Sequence, residues 1–94
     1  MSWTFFTNHA HVLFCLAEDP DVRVRDISDR VGITERAVQR ILSELVDDGY
    51  ISATREGRRN HYEVRCTAKL RHNVEGGHNV GELLDMLGVP RAQR

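Results

Sequence analysis

Arg36, Gln39 and Arg40 fall at i, i+3 and i+4 in the stretch GITERAVQRI, and Ser43 extends the series to i+7. At 3.6 residues per turn this spacing places all four on one side of a helix. Arginine offers two N–H donors that match guanine O6 and N7, and glutamine offers the donor–acceptor pair that adenine N6 and N7 require. Thr34, just ahead of the series, suits a helix N-cap whose hydroxyl accepts an orphan backbone N–H. The free N–H groups at that end attract phosphate. Together these residue types make a surface able to meet a nucleic acid.

The elements that would hold this surface are legible on either side of it. Val38, Ile41, Leu42 and Leu45 repeat the helical spacing on the opposite face, and Gly49 closes the helix. Asp47 and Asp48 stand at its C-terminal end, where the macrodipole disfavours acids, and nothing in the local pattern accounts for them. A shorter helix over about Arg25 to Val31 buries Val24, Ile27 and Val31 and ends at Gly32, in the left-handed conformation that glycine tolerates. Before it, Thr7 or Asn8 caps a first helix, HAHVLFCLAE, apolar on most sides and so suited to the centre of a small bundle. Asp19 and Pro20 stop that helix, and DVRV, with alternating Val22 and Val24, reads as one brief strand.

Beyond Gly49, YISATR and HYEVR read as two strands joined by EGRRN as the loop. Ile51 and Ala53 alternate with Tyr50, Ser52 and Thr54, and Tyr62 and Val64 are placed on opposite faces of the return strand. CTAKLRHNVEGGHN carries no clear pattern. Val80, Leu83, Leu84 and Leu87 mark a last helix, over about 79–88, that Gly88 and Pro90 terminate.

A chain of 94 residues with 40% hydrophobic and 29% charged content fits one small globular domain over 1–94. The longest apolar run, Val12 to Ala17, is far too short to span a bilayer, so no membrane partner is expected. The start MSWTFFTNHA has no positive n-region or cleavable apolar core, and two cysteines make no disulfide framework. A reducing cytoplasm is the expected compartment.

The formal net charge of −1 conceals a segregation. Between Arg55 and Arg71 lie six basic residues against Glu56 and Glu63. Between Glu18 and Asp29 five acids face Arg23 and Arg25. Partners respond to the local field, which salt screens beyond about 8–10 Å. Near-neutrality is therefore weak evidence against a basic footprint.

Two short helices joined through a glycine turn, with polar groups outward on the second, describe a helix-turn-helix over about 24–48. The basic hairpin over about 50–65 follows as a wing. On the residues VRDISDRVGITERAVQRILSELVDDGYISATREGRRNHYEV the sequence resembles the winged helix-turn-helix transcriptional regulators, of the broad MarR-like and ArsR-like kind. The resemblance implies a mainly α fold with a small β-hairpin wing (α+β), a three-helix core and a C-terminal helix. It also implies a sequence-specific regulator of transcription, a homodimeric repressor that binds double-stranded DNA. Carried over by position, Arg36, Gln39, Arg40 and Ser43 would read the major groove, with Thr34 and Arg25 on phosphate. Arg58 and Arg59 would reach phosphate or the minor groove, with Asn60 and His61 close by.

Other chemistry is thin. Arg40 and Glu44 at i, i+4 also fit an ordinary surface pair worth a few tenths of a kcal/mol. His11 with Cys15 and His78 with Glu82 share a helical spacing that could hold a metal, yet a core cysteine and a surface histidine explain them as well. Cys66 beside Arg65 allows a redox switch. VEGGHNVGELL lacks the Lys-Ser/Thr of a phosphate loop, and no Ser/His/Asp or Cys/His set is credibly arranged. No catalysis, resident metal or cofactor is expected, and no effector is legible. The alternatives are a winged helix that binds proteins through the same face, and a metal- or redox-sensing regulator.

The apolar ends need cover. Trp3, Phe5 and Phe6 at one end and Val80, Leu83, Leu84 and Leu87 at the other either cover each other in one protomer or form a two-fold dimer interface. The dimer would present two recognition helices to half-sites about one DNA turn apart.

Overall fold

The computed structural model describes residues 3–89. Five elements run from the N-terminus to the end of the hairpin: α1 (Asn8–Glu18), α2 (Val24–Val31), α3 (Glu35–Asp47), β1 (Ile51–Glu56) and β2 (Arg59–Val64). A 3-10 turn (Asn73–Glu75) and α4 (Val80–Met86) complete the chain. Pro90, expected to help end the last helix, lies outside the described residues.

Each helix starts and stops where local chemistry requires. The Thr7 hydroxyl accepts from Ala10 N–H at the start of α1, and the Thr34 hydroxyl accepts from Ala37 N–H at the start of α3. Gly32, at φ 83°, ends α2 and turns the chain toward α3. There the Ile33 N–H bonds back to the Ser28 carbonyl, while the Ser28 hydroxyl donates to the Ile33 carbonyl. At the end of α3, Tyr50 N–H reaches the Leu45 carbonyl and Gly49 N–H the Val46 carbonyl, a Schellman closure. Asp48, awkward at a helix C-terminus, accepts from Arg71 at 2.7 Å. A cation 23 residues further on thus answers a charge that looked misplaced in isolation.

All four apolar positions of α3 are sealed: Val38, Ile41, Leu42 and Leu45 are each 7% exposed or less. They join Val12, Leu13 and Leu16 of α1, Ile27 of α2, Ile51 of β1 and Tyr62 of β2 in one core. Val80 and Leu84 of α4 belong to the same core at 0% exposure. This corrects their assignment to a dimer interface, because both side chains already face the interior of their own protomer.

Three local readings are revised. DVRV forms no strand: Arg23 is the extended N-cap of α2, and Val24 is already helical. What survives is one bond, from Tyr62 N–H to the Pro20 carbonyl at 2.9 Å, which ties the linker to the outer edge of β2. The strand pairing reaches further toward the tip than expected, since Glu56 pairs with Arg59 and Arg55 with Asn60, leaving only Gly57 and Arg58 as the loop. Gly57 alone of the two has positive φ, at 63°, the pattern of a two-residue turn with glycine first. Tyr62 and Val64 share a face with Ile51 and Ala53, as the two-residue strand period demands.

The stretch after the wing gains its shape from distant partners. Leu70 N–H bonds the His78 carbonyl, Val80 N–H the Ala68 carbonyl and Gly81 N–H the Cys66 carbonyl. Asn79 and Glu82 cap α4 reciprocally. A Cβ on Gly81 would come within 3.1 Å of the Cys66 carbonyl oxygen, so that helix packs against backbone. Leu84→Ala is expected to cost about 2–5 kcal/mol in urea unfolding, because it opens a cavity in this core. The loss should not vary with protein concentration, as it would if Leu84 lay between protomers.

Candidate nucleic-acid interface

The residues predicted to read DNA divide between the outer face of α3 and the tip of the wing. Arg36, Gln39, Arg40 and Ser43 are all exposed, on the side of α3 opposite the core positions. At 100° per residue the two sets centre roughly half a turn apart. Packing of one set therefore fixes the direction of the other. Arg36, Gln39 and Ser43 have no side-chain partner among the described residues.

Arg40 is engaged but lightly. Its Nη1 donates to Glu44 Oε1 at 3.4 Å, and His9 Nε2 from α1 lies 2.7 Å from the same oxygen. An exposed i, i+4 pair is worth about 0.3–0.5 kcal/mol, whereas a bidentate arginine–guanine contact discriminates by about 1–3 kcal/mol. A contact of that kind would outweigh the pair, and Glu44 would still have His9 as a partner.

Thr34 is committed to its cap, so its contribution at the α3 N-terminus is the backbone end that it organises. Arg25, in the first turn of α2, is exposed. Arg58 and Arg59 are exposed at the wing tip, and the Asn60 amide donates to the Tyr62 hydroxyl at 3.3 Å.

Arg23 was missed in the sequence. With Arg58, Arg59 and Asn60 it lines a concave slot of about 330 Å³ between the start of α2 and the wing. Its position as an extended N-cap beside Arg25 was the available signal, hidden by reading DVRV as a strand. Asp21 lines the same recess, its carboxylate bonded to His61, so three arginines outnumber one acid there and suit an anion such as a backbone phosphate.

His61 is placed differently. It is half-buried, with Nδ1 2.8 Å from Asp21 Oδ1, so it faces the α1–α2 linker. That hydrogen bond raises its pKa above the ordinary 6.5.

Cys15 is buried, and burial pushes its thiol upward, away from thiolate chemistry. Cys66 is half-buried, its sulfur 3.9 Å from the Val64 carbonyl oxygen. His78 pairs with Glu82 on the surface of α4.

At the apolar ends, Trp3 and Phe5 pack edge-on with ring centroids 5.0 Å apart and stay 69% and 90% exposed. Phe6 packs edge-on against Phe14 at 5.4 Å. Phe6 and Leu83 both line a groove of about 420 Å³, together with Leu13, Leu45 and Leu70. Leu87 is 42% exposed and Met86 68%. No described helix is long and apolar enough to cross a membrane.

Residues 7–52 match the family described as winged helix-turn-helix DNA-binding. The match spans α1 to α3 and ends at the second residue of β1, so the wing itself is seen in the structure. No curated protein sequence matches the chain. Among solved structures, the chain is similar to the zinc-dependent MarR family transcriptional regulator AdcR in its Zn(II)-bound state. That similarity has 16% identity and a TM-score of 0.49, over 99% of this chain and 69% of that one.

The Asp21–His61 bond carries a pH signature. A raised folded pKa means that its contribution is fully present below pH 6.5 and is lost as pH rises through the folded value. NMR titration should place the His61 midpoint above 6.5, and Asp21→Asn should bring it back toward that value.

Proposed function

We propose that this chain, a winged helix-turn-helix DNA-binding protein, regulates transcription by occupying an operator as a homodimeric repressor. The observation that carries the reading is the pairing of two features. One is a sealed α3 with Arg36, Gln39, Arg40 and Ser43 outward; the other is a slot between the start of α2 and the wing, where Arg23, Arg58 and Arg59 outnumber Asp21. α3 enters the major groove, where Arg36 and Arg40 bond guanine and Gln39 bonds adenine. The slot, Arg25 and the N-terminus of α3 engage phosphate and set the register of α3 on the duplex. Affinity comes mainly from the phosphate contacts and selectivity from α3.

The dimer joins protomers through the exposed apolar residues Trp3, Phe5 and Leu87, with Phe6 and Leu83 at the margin. Two copies of α3 then face half-sites about one turn of DNA apart, each protomer contributing its own wing. Repression needs no further domain, because a dimer seated on the operator blocks access to it. The work proceeds in the cytoplasm, where the two thiols stay reduced.

The test is fluorescence anisotropy of a labelled random duplex titrated at several salt concentrations. Micromolar binding that weakens steeply with salt is expected, and absence of binding at low salt would overturn the reading. Replacing Arg58 and Arg59 together by Ala should weaken binding to every duplex and flatten the salt slope by up to about two units. Gln39→Ala or Arg40→Ala should cost roughly 1–3 kcal/mol on the operator and much less on random DNA.

A further inference from the structure

We propose that Asp21, Glu56 and His61 form a divalent-metal site that clamps the wing to the linker between α1 and α2. Their ligand atoms all lie within 4.8 Å of one another, although they come from three separate segments. The hairpin register sets His61 opposite Thr54, and Glu56 lies two residues beyond Thr54 on the same face of β1. The Tyr62–Pro20 backbone bond holds the linker against β2 and so brings Asp21 to the same place.

The set is part-organised. The imidazole is half-buried and already directed at the Asp21 carboxylate, at 2.8 Å. Glu63 Oε1 lies 3.9 Å from the other ring nitrogen, Nε2, and stands outside the set. A tetrahedral ion with bonds of about 2.0–2.2 Å separates its ligands by about 3.4 Å, so modest side-chain rotation closes the set. One imidazole with two carboxylates suits a borderline or hard divalent ion such as Zn(II) or Mn(II), and disfavours soft Cu(I). His9–Glu44 and His78–Glu82 are histidine–carboxylate pairs without a third converging ligand among the described residues.

An ion here would join the linker, β1 and β2 at one point. It would also cancel two carboxylate charges near the wing tip that carries Arg58 and Arg59. The clamped wing then meets the duplex with a stronger positive field and less freedom to lose on binding.

Calorimetric titration of the chelator-treated chain with ZnCl2, and separately with MnCl2, tests the site. One ion per chain, bound at micromolar or lower concentration by at least one of the two metals, is expected. Affinity should fall at least about 10-fold in Glu56→Gln and His61→Gln and be unchanged in His78→Gln. Glu56→Gln leaves the His61–Asp21 bond intact, so it separates loss of a ligand from loss of fold, which circular dichroism also checks. Binding only at millimolar metal, or binding indifferent to both ligand substitutions, would overturn the site. With the favoured metal, wild-type affinity for random duplex should rise severalfold, and that gain should vanish in Glu56→Gln. This second readout rests on the duplex-binding reading, whereas the calorimetry does not. Equal duplex affinity with and without bound metal would overturn the clamp.

Discussion

Burial of Val38, Ile41, Leu42 and Leu45 is the constraint on which the rest of the molecule depends. Each such side chain gains about 1.5–3 kcal/mol by leaving water, so the inward face of α3 has one low-energy orientation. α1 supplies the wall against which it packs, α2 braces it from the side, and Ile51 and Tyr62 close the core from the hairpin. Because a helix is rigid across its diameter, fixing that face also fixes Arg36, Gln39 and Ser43 on the other. That outer surface needs little side-chain packing of its own; its direction is inherited from the core.

Electrostatics follow the same division. Many of the acids that make the chain formally neutral are matched internally: Glu18 with Arg30, Asp48 with Arg71, Glu44 with His9 and Arg40, and Asp21 with His61. Most of these pairs are exposed, and each adds little to stability. Their consequence is spatial, since they draw negative charge toward partners and leave Arg23, Arg58 and Arg59 gathered around one recess. A net charge averages over such an arrangement and hides it.

The helix-turn-helix was legible in the sequence because its information is local. The 3.6-residue period, Thr34 as cap and Gly32 as turn all act within a few residues of where they stand. The wing was harder. Glu56, Arg59 and Asn60 are polar and look like loop, yet they pair as strand residues whose side chains stay exposed on both faces of the hairpin. DVRV was misread because two alternating valines are too few to separate a strand from an extended helix cap, and Arg23 was overlooked with it. Val80 and Leu84 show the plainest limit: periodicity says that a stripe must be covered, but not by what. The segment from Cys66 to Asn79 is shaped by backbone bonds across sequence gaps that no local pattern records.

The single bond from Tyr62 to Pro20 ties the free edge of the two-stranded hairpin to the linker, while β1 pairs along the other edge of β2. A hairpin attached only through its ends would swing to follow whatever groove it met. This one is held at a second point, where the linker after α1 meets β2, and that tie limits its swing relative to α3. Helix and wing together act as a caliper of set span. A duplex that fits it must bring groove and backbone to that spacing, by its resting shape or by bending, and sequences differ in how easily they do so. On the proposed binding mode, that tie would turn the stiffness of DNA into a second source of selectivity, at base pairs that no side chain touches.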